Sequence, residues 1–189
     1  MSLALALLFA LPVIIGGAVH IGAIKLDLLP RLRRLPLDGG LRWRGRPVLG
    51  ENKTVRGVVV MIAATSLASG LVWLLLGRPG LEERGLATQA AHPFAWGALL
   101  GGGYVAGELP NSFVKRQLDV APGAPARGVL RPLFWLVDQC DSLVGVVAAS
   151  SLAWSPPAGV LGGLLVVTLL VHPVAALGMV ALGLKRRVG

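Results

Sequence analysis

Charge, aromatic side chains and cysteine are all scarce in this chain. Of its 189 residues only 14% are charged and 5% aromatic, and Cys140 is the lone thiol. A single cysteine excludes an internal disulfide and a cysteine metal cluster within one chain, so Cys140 reads as a small packing residue. So little charge beside 54% hydrophobic residues and a mean hydropathy of +0.73 excludes an ordinary soluble domain. No cation precedes the first apolar run and no small-residue cleavage site follows it. That run is therefore expected to be a retained helix rather than a secretory signal.

What is present is a series of apolar runs near the ~20 residues a helix needs to cross hydrocarbon. They cover 3–24, 57–76, 93–107, 129–153 and 159–184. The sequence thus predicts an all-α integral membrane protein, one polytopic domain over 1–189 with about five transmembrane helices. The 26 glycines suit helices packed closely through small faces, with several helices kinked or broken around a polar site. Such faces also permit a homodimer.

The formal charge of +9 does not point to nucleic acid, because the cations follow membrane topology. Nine Lys and Arg lie between Lys25 and Arg56, four between Lys115 and Arg131, and three at Lys185, Arg186 and Arg187. Only Arg78 and Arg84 fall in the second loop, and none in the fourth. The positive-inside rule then places the N-terminus outside, and loops 25–56 and 114–128 and the C-terminus in the cytoplasm. The membrane implied is the cell (plasma or inner) membrane, crossed several times.

Polar residues inside such a chain need a reason, since a charge at the bilayer centre costs about 2.5 to 3.5 kcal/mol on insertion scales. Arg31, Arg33, Arg34, Arg42, Arg44 and Arg46 read as topology determinants and anionic-lipid contacts. Asn52, Lys53, Thr54 and Arg56 put two cations, an amide and a hydroxyl at the mouth of a helix, a combination suited to a polyphosphate. The Gly- and Pro-rich stretch from Pro93 to Asn111 predicts an irregular third helix with Glu108 facing a wet pocket. Ser112, Lys115 and Arg116 share a helical face if that helix continues.

Asp138 and Asp141, three apart, stack on one face of the next helix. Two adjacent carboxylates repel unless a cation is shared, and a hard divalent ion is one solution. Structural ion pairs with Lys115, Arg116 or Arg131 are the other. His20 and His92 read as structural or solvated, whereas His172, inside the fifth span, is a possible neighbour of the site.

Three segments together resemble the CDP-archaeol synthase family, related to the CDP-diacylglycerol synthases. They are Gly50-Glu51-Asn52-Lys53-Thr54-Val55-Arg56-Gly57, Gly107-Glu108 leading to Ser112-Phe113-Val114-Lys115-Arg116, and Asp138-Gln139-Cys140-Asp141. The similarity extends from about Lys25 to Arg187, and its serine-Lys-Arg and paired acids are shared by the wider lipid cytidylyltransferases. The resemblance implies a membrane enzyme that joins CTP to a lipid phosphate, giving a CDP-lipid and pyrophosphate with Mg²⁺ as cofactor. It implies catalytic roles for Lys115, Asp138 and Asp141, and nucleotide or phosphate binding by Asn52, Lys53, Thr54, Arg56, Ser112 and Arg116. Metal binding falls to Asp138 and Asp141, with Glu108 as a further ligand. Three positions depart from the family pattern: Glu108 stands for Asp, Ala176 for Asn and Val55 for an aromatic residue. Diacyl and isoprenoid-ether glycerol phosphates are both open as the lipid. A transporter or flippase for a phosphorylated lipid is the alternative from another class, weakened because no inverted repeat is visible. A catalytically inactive family member is the third reading.

Overall fold

A computed structural model describes residues 2–184, so the cations at 185–187 lie outside the described residues. Within these, five long helices form: α1 (Ser2–Lys25), α3 (Val55–Glu82), α5 (Pro93–Gln117), α6 (Leu130–Ser150) and α7 (Ala158–Ala181). Two short helices, α2 (Pro30–Arg33) and α4 (Ala87–Ala91), and a two-residue hairpin, β1 (Arg42–Trp43) with β2 (Arg46–Pro47), occupy connections. Four of the long helices are apolar and long enough to cross a membrane. α5 is not, because it carries five glycines together with Glu108, Lys115 and Arg116.

Local chemistry sets the helix boundaries. The Thr54 hydroxyl caps α3 by accepting from the Gly57 amide at 3.4 Å. Gly77, at φ 68° and ψ 167°, breaks that helix, and Pro79 begins its last short piece. Pro93 sits in the first turn of α5, where its missing N–H costs nothing. The irregular third helix expected from Gly101-Gly102-Gly103 and Pro110 is instead continuous. Four of its five glycines, Gly97, Gly101, Gly103 and Gly107, serve close contact rather than flexibility.

The long helices form a closed ring in which α1 packs on α3, α3 on α5, α5 on α6, α6 on α7 and α7 on α1. One face of α5 presents Gly97 and Gly101 to α3. A Cβ on Gly97 would lie 2.5 Å from the Thr65 carbonyl oxygen. The other face presents Gly103 and Gly107 to Gly145 of α6, where a Cβ on Gly107 would stand 2.3 Å from the Asp141 carbonyl oxygen. Backbones this close hold by dispersion without any solvent-driven term, as helices in lipid must.

The two ends of the ring differ. At one, Phe9, Trp96 and Trp154 meet edge-to-face or tilted with centroids 5.6–6.3 Å apart, in one cluster with buried Leu100 and Leu164. At the other lie the C-terminal ends of α1, α5 and α7, the N-terminal ends of α3 and α6, and both cation-rich loops. Loop 25–56 is folded rather than loose. The Asp38 carboxylate accepts from the amides of Gly40 (3.0 Å) and Leu49 (2.7 Å), and Pro36 bridges Thr54. The hairpin turn at Arg44 and Gly45 has positive φ at both positions, and Arg46 straps it to Asp119 (2.6 Å) and to the Gln117 carbonyl. α5 reaches Gln117, so residues 114–117 of the expected third loop are its last turn.

Candidate active site

A cavity of about 360 Å³ opens at the polar end of the ring. Loop 25–56 contributes Asn52 and Lys53; α5 contributes Glu108, Asn111, Ser112, Lys115 and Arg116. α6 adds Asp138, Gln139 and Asp141, and α7 adds His172. The α5 residues follow the i, i+3, i+4, i+7 spacing of one helical face, and they meet the α6 acids because Gly107 and Gly145 allow close approach.

One hydrogen-bonded chain runs through the cavity. Lys115 forms an ion pair with Asp138. The Asn111 side-chain amide nitrogen donates to Asp138 Oδ1 at 2.6 Å and to Asp141 Oδ2 at 2.7 Å. Asp141 Oδ1 accepts from the Ser142 amide at 2.6 Å. Lys53 pairs with Glu108, tying the first loop to α5 across 55 positions of sequence. His172 lies with Nδ1 3.3 Å from the Asp138 carbonyl oxygen and Nε2 3.3 Å from Ser142 Oγ, which braces α6 on α7.

Thr54 and Arg56, expected to bind phosphate, do not line this cavity. Thr54 is occupied as the α3 cap. Arg56 is buried and paired with Asp27 at 2.9 Å, and that same carboxylate also takes Arg33 at 2.9 Å. Asp27 has φ 47°, and this left-handed turn carries it under the start of α3. Asn111, given no role by the sequence, holds the two acids together. Its position three after Glu108 and four before Lys115 was the available signal.

Several buried polar atoms of the cavity lack a protein partner: Asn111 Oδ1, Arg116 Nε and Nη1, and Gln139 Oε1. Leaving such atoms unpaired costs about 1–3 kcal/mol each, so they are available to a polar ligand or to water entering the cavity. Three cations and three carboxylates line the space, so a polyanion finds no net positive host and needs a cation beside it. Among the described residues no three His, Cys, Asp or Glu side chains gather as a metal cluster. Glu108 is committed to Lys53 instead of joining the acid pair. Asp138 and Asp141, bridged by one amide nitrogen, still fit Mg²⁺, which takes one or two carboxylates and completes its shell with water and substrate phosphates.

A family model described as CarS-like: CDP-archaeol synthase matches residues 34–188. The chain belongs to this CarS-like family. A CDP-archaeol synthase of Aeropyrum pernix is 34% identical over 157 residues, covering 81% of this chain and 78% of the relative. One from Methanopyrus kandleri is 34% identical over 140 residues (72% and 69%), and one from Thermofilum pendens 31% over 186 (97% and 80%). A solved structure described as an intramembrane enzyme for archaeal membrane lipid biosynthesis superposes with TM-score 0.63 at 30% identity, covering 91% of this chain and 92% of that one. As a CarS-like protein the chain is a multi-pass membrane enzyme, a lipid cytidylyltransferase.

Proposed function

We propose that this enzyme transfers the cytidylyl group of CTP to an isoprenoid-ether glycerol phosphate, forming a CDP-lipid. The lipid class follows from relatives that carry the name CDP-archaeol synthase. The observation that carries the chemistry is the Lys115–Asp138–Asn111–Asp141 chain, set in one cavity with Lys53 and Arg116. In the reaction a phosphate oxygen of the lipid attacks the α-phosphorus of CTP. One P–O bond forms, the bond between the α-phosphorus and its bridging oxygen breaks, and pyrophosphate leaves. The lipid monoester has a second pKa near ~6, so it is mostly dianionic at neutral pH and needs no strong base.

The remaining problem is repulsion between two polyanions. Lys115 would meet the charge that develops on the α-phosphoryl oxygens, while Lys53 and Arg116 receive pyrophosphate on the loop side. The two unpaired nitrogens of Arg116 support that part. Mg²⁺ held by Asp138 and Asp141 would supply Lewis-acid polarisation of the phosphoryl group. Asn111 keeps both acids aimed at one point, and Ser112 offers a hydroxyl to the nucleotide. The cation-rich end of the ring would face the cytoplasm of the cell membrane, where CTP is present. Labelling of Arg44→Cys by an impermeant maleimide from outside intact cells would reverse that orientation. The activity is tested by pyrophosphate release with Lys115→Ala, expected to lose about tenfold or more in turnover. Unchanged turnover would remove Lys115 from the reaction.

A further inference from the structure

A second cavity of about 330 Å³ adjoins the first along the opening turns of α6. Ala126, Arg131, Pro132 and Phe134 belong to it alone, whereas Pro125, Trp135 and Asp138 line both cavities. The two spaces differ in chemistry. The first holds three cations and three carboxylates, a setting for a polyphosphate with its metal. The second is largely apolar, and Arg131 is its one cation. Arg33, Arg42, Arg46 and Arg56 at this end are held by side-chain hydrogen bonds or ion pairs, whereas the Arg131 guanidinium, like that of Arg116 in the first cavity, makes none among the described residues.

Its surroundings indicate the ligand. Val129, Leu133 and Leu136 project outward from the same stretch at 91%, 55% and 50% exposure, an apolar face that meets hydrocarbon in a bilayer. An arginine beside such a face, at a helix end, lies at headgroup depth. A lipid phosphate needs that sequence of environments: hydrocarbon for its chains, an apolar recess for its glycerol and one cation for its phosphate. Phosphoryl transfer adds a geometric demand, because the nucleophile must enter on the side opposite the leaving group. A second compartment joined to the first at Asp138 gives the acceptor an approach separate from the nucleotide's cavity.

We propose that this second cavity is the acceptor subsite, where the lipid phosphate head group is anchored by Arg131, with Trp135 as the partition from the nucleotide. The proposal rests on the cytidylyltransferase reading and specifies where its second substrate binds. Two measurements on the purified full-length protein test it. In mixed micelles at saturating CTP, Arg131→Ala raises KM for the lipid phosphate about tenfold and leaves KM for CTP unchanged, and Arg131→Lys recovers part of the loss. Arg127→Ala, an exposed cation of the same loop outside the cavity, leaves both constants unchanged. A rise in KM for CTP alone assigns the cavity to the nucleotide and overturns the proposal. So does an equal effect at Arg127, which would mean only that loop charge attracts anionic lipid.

The second measurement needs no turnover. A chain-brominated lipid phosphate quenches tryptophan fluorescence in the wild type, and quenching falls with Trp135→Phe and with Arg131→Ala. Brominated phosphatidylcholine, which lacks a monoester, shows no dependence on Arg131. If no lipid supports turnover but this Arg131-dependent quenching persists, the activity reading fails while the lipid-phosphate subsite stands. Quenching indifferent to Arg131 overturns the subsite.

Discussion

Asn111 governs the acid pair at the scale of single residues. Its amide nitrogen lies within 2.7 Å of both Asp138 and Asp141, and without it the two carboxylates keep only Lys115 on Asp138 and the Ser142 amide on Asp141. Asn111→Ala should therefore lower turnover by about tenfold or more and change the Mg²⁺ concentration giving half-maximal rate, read by titrating the metal at saturating CTP. A metal curve and rate like those of the wild type would show that the amide only fills space. Arg56 makes a contrasting case. Buried and paired with Asp27, it should act on stability, so Arg56→Ala lowers the Tm in detergent with little change in KM for CTP. A large KM effect with unchanged Tm would return it to the nucleotide site. The sequence made Ser112, Lys115, Arg116, Asp138 and Asp141 legible because helical spacing alone puts them on common faces. Arg56 was not legible, because its partner lies 29 residues away across a left-handed turn that no local pattern announces.

Among the elements, α5 departs most from expectation. Its glycines and Pro110 read as signs of a broken helix, yet it runs unbroken from Pro93 to Gln117. Gly97, Gly101, Gly103 and Gly107 are contact surfaces for α3 and α6, and only the neighbouring backbones reveal that. Pro110 removes one helical donor and leaves the rest of the ladder to hold. The positions are separable by experiment. A Cβ on Gly107 would stand 2.3 Å from the Asp141 carbonyl oxygen, whereas one on Gly102 would meet nothing within 4 Å. Gly107→Ala should push α6 away from Lys115 and cost about tenfold in turnover, since misplacement by an ångström can cost up to a hundredfold. Gly102→Ala should be tolerated in the same assay. Equal effects at both sites would mean that close approach of α5 and α6 does not set the geometry.

Across the whole molecule, the ring of five helices separates an aromatic cluster at one end from a polar end that gathers the site and both cation-rich loops. Much of this was legible from composition, because low charge and ~20-residue apolar runs leave few architectures. The order of packing around the ring was not, since it depends on which small faces meet. Nor was the division of the polar end into two adjoining cavities, which arises where the third loop turns into α6. The folding of loop 25–56 over the cavity, through Asp38, the hairpin and Lys53–Glu108, likewise depends on contacts distant in sequence.

The central claim is metal-assisted transfer of a cytidylyl group to a lipid phosphate at Asp138 and Asp141. It is tested most directly by pyrophosphate release from purified protein with CTP, Mg²⁺ and either an isoprenoid-ether or a diacyl glycerol phosphate, beside Asp138→Asn and Asp141→Asn. The account predicts release that requires Mg²⁺, favours the isoprenoid-ether lipid and disappears in both variants while they remain folded in detergent. Release that persists in either variant, or none with any lipid from folded protein that binds CTP, would contradict it.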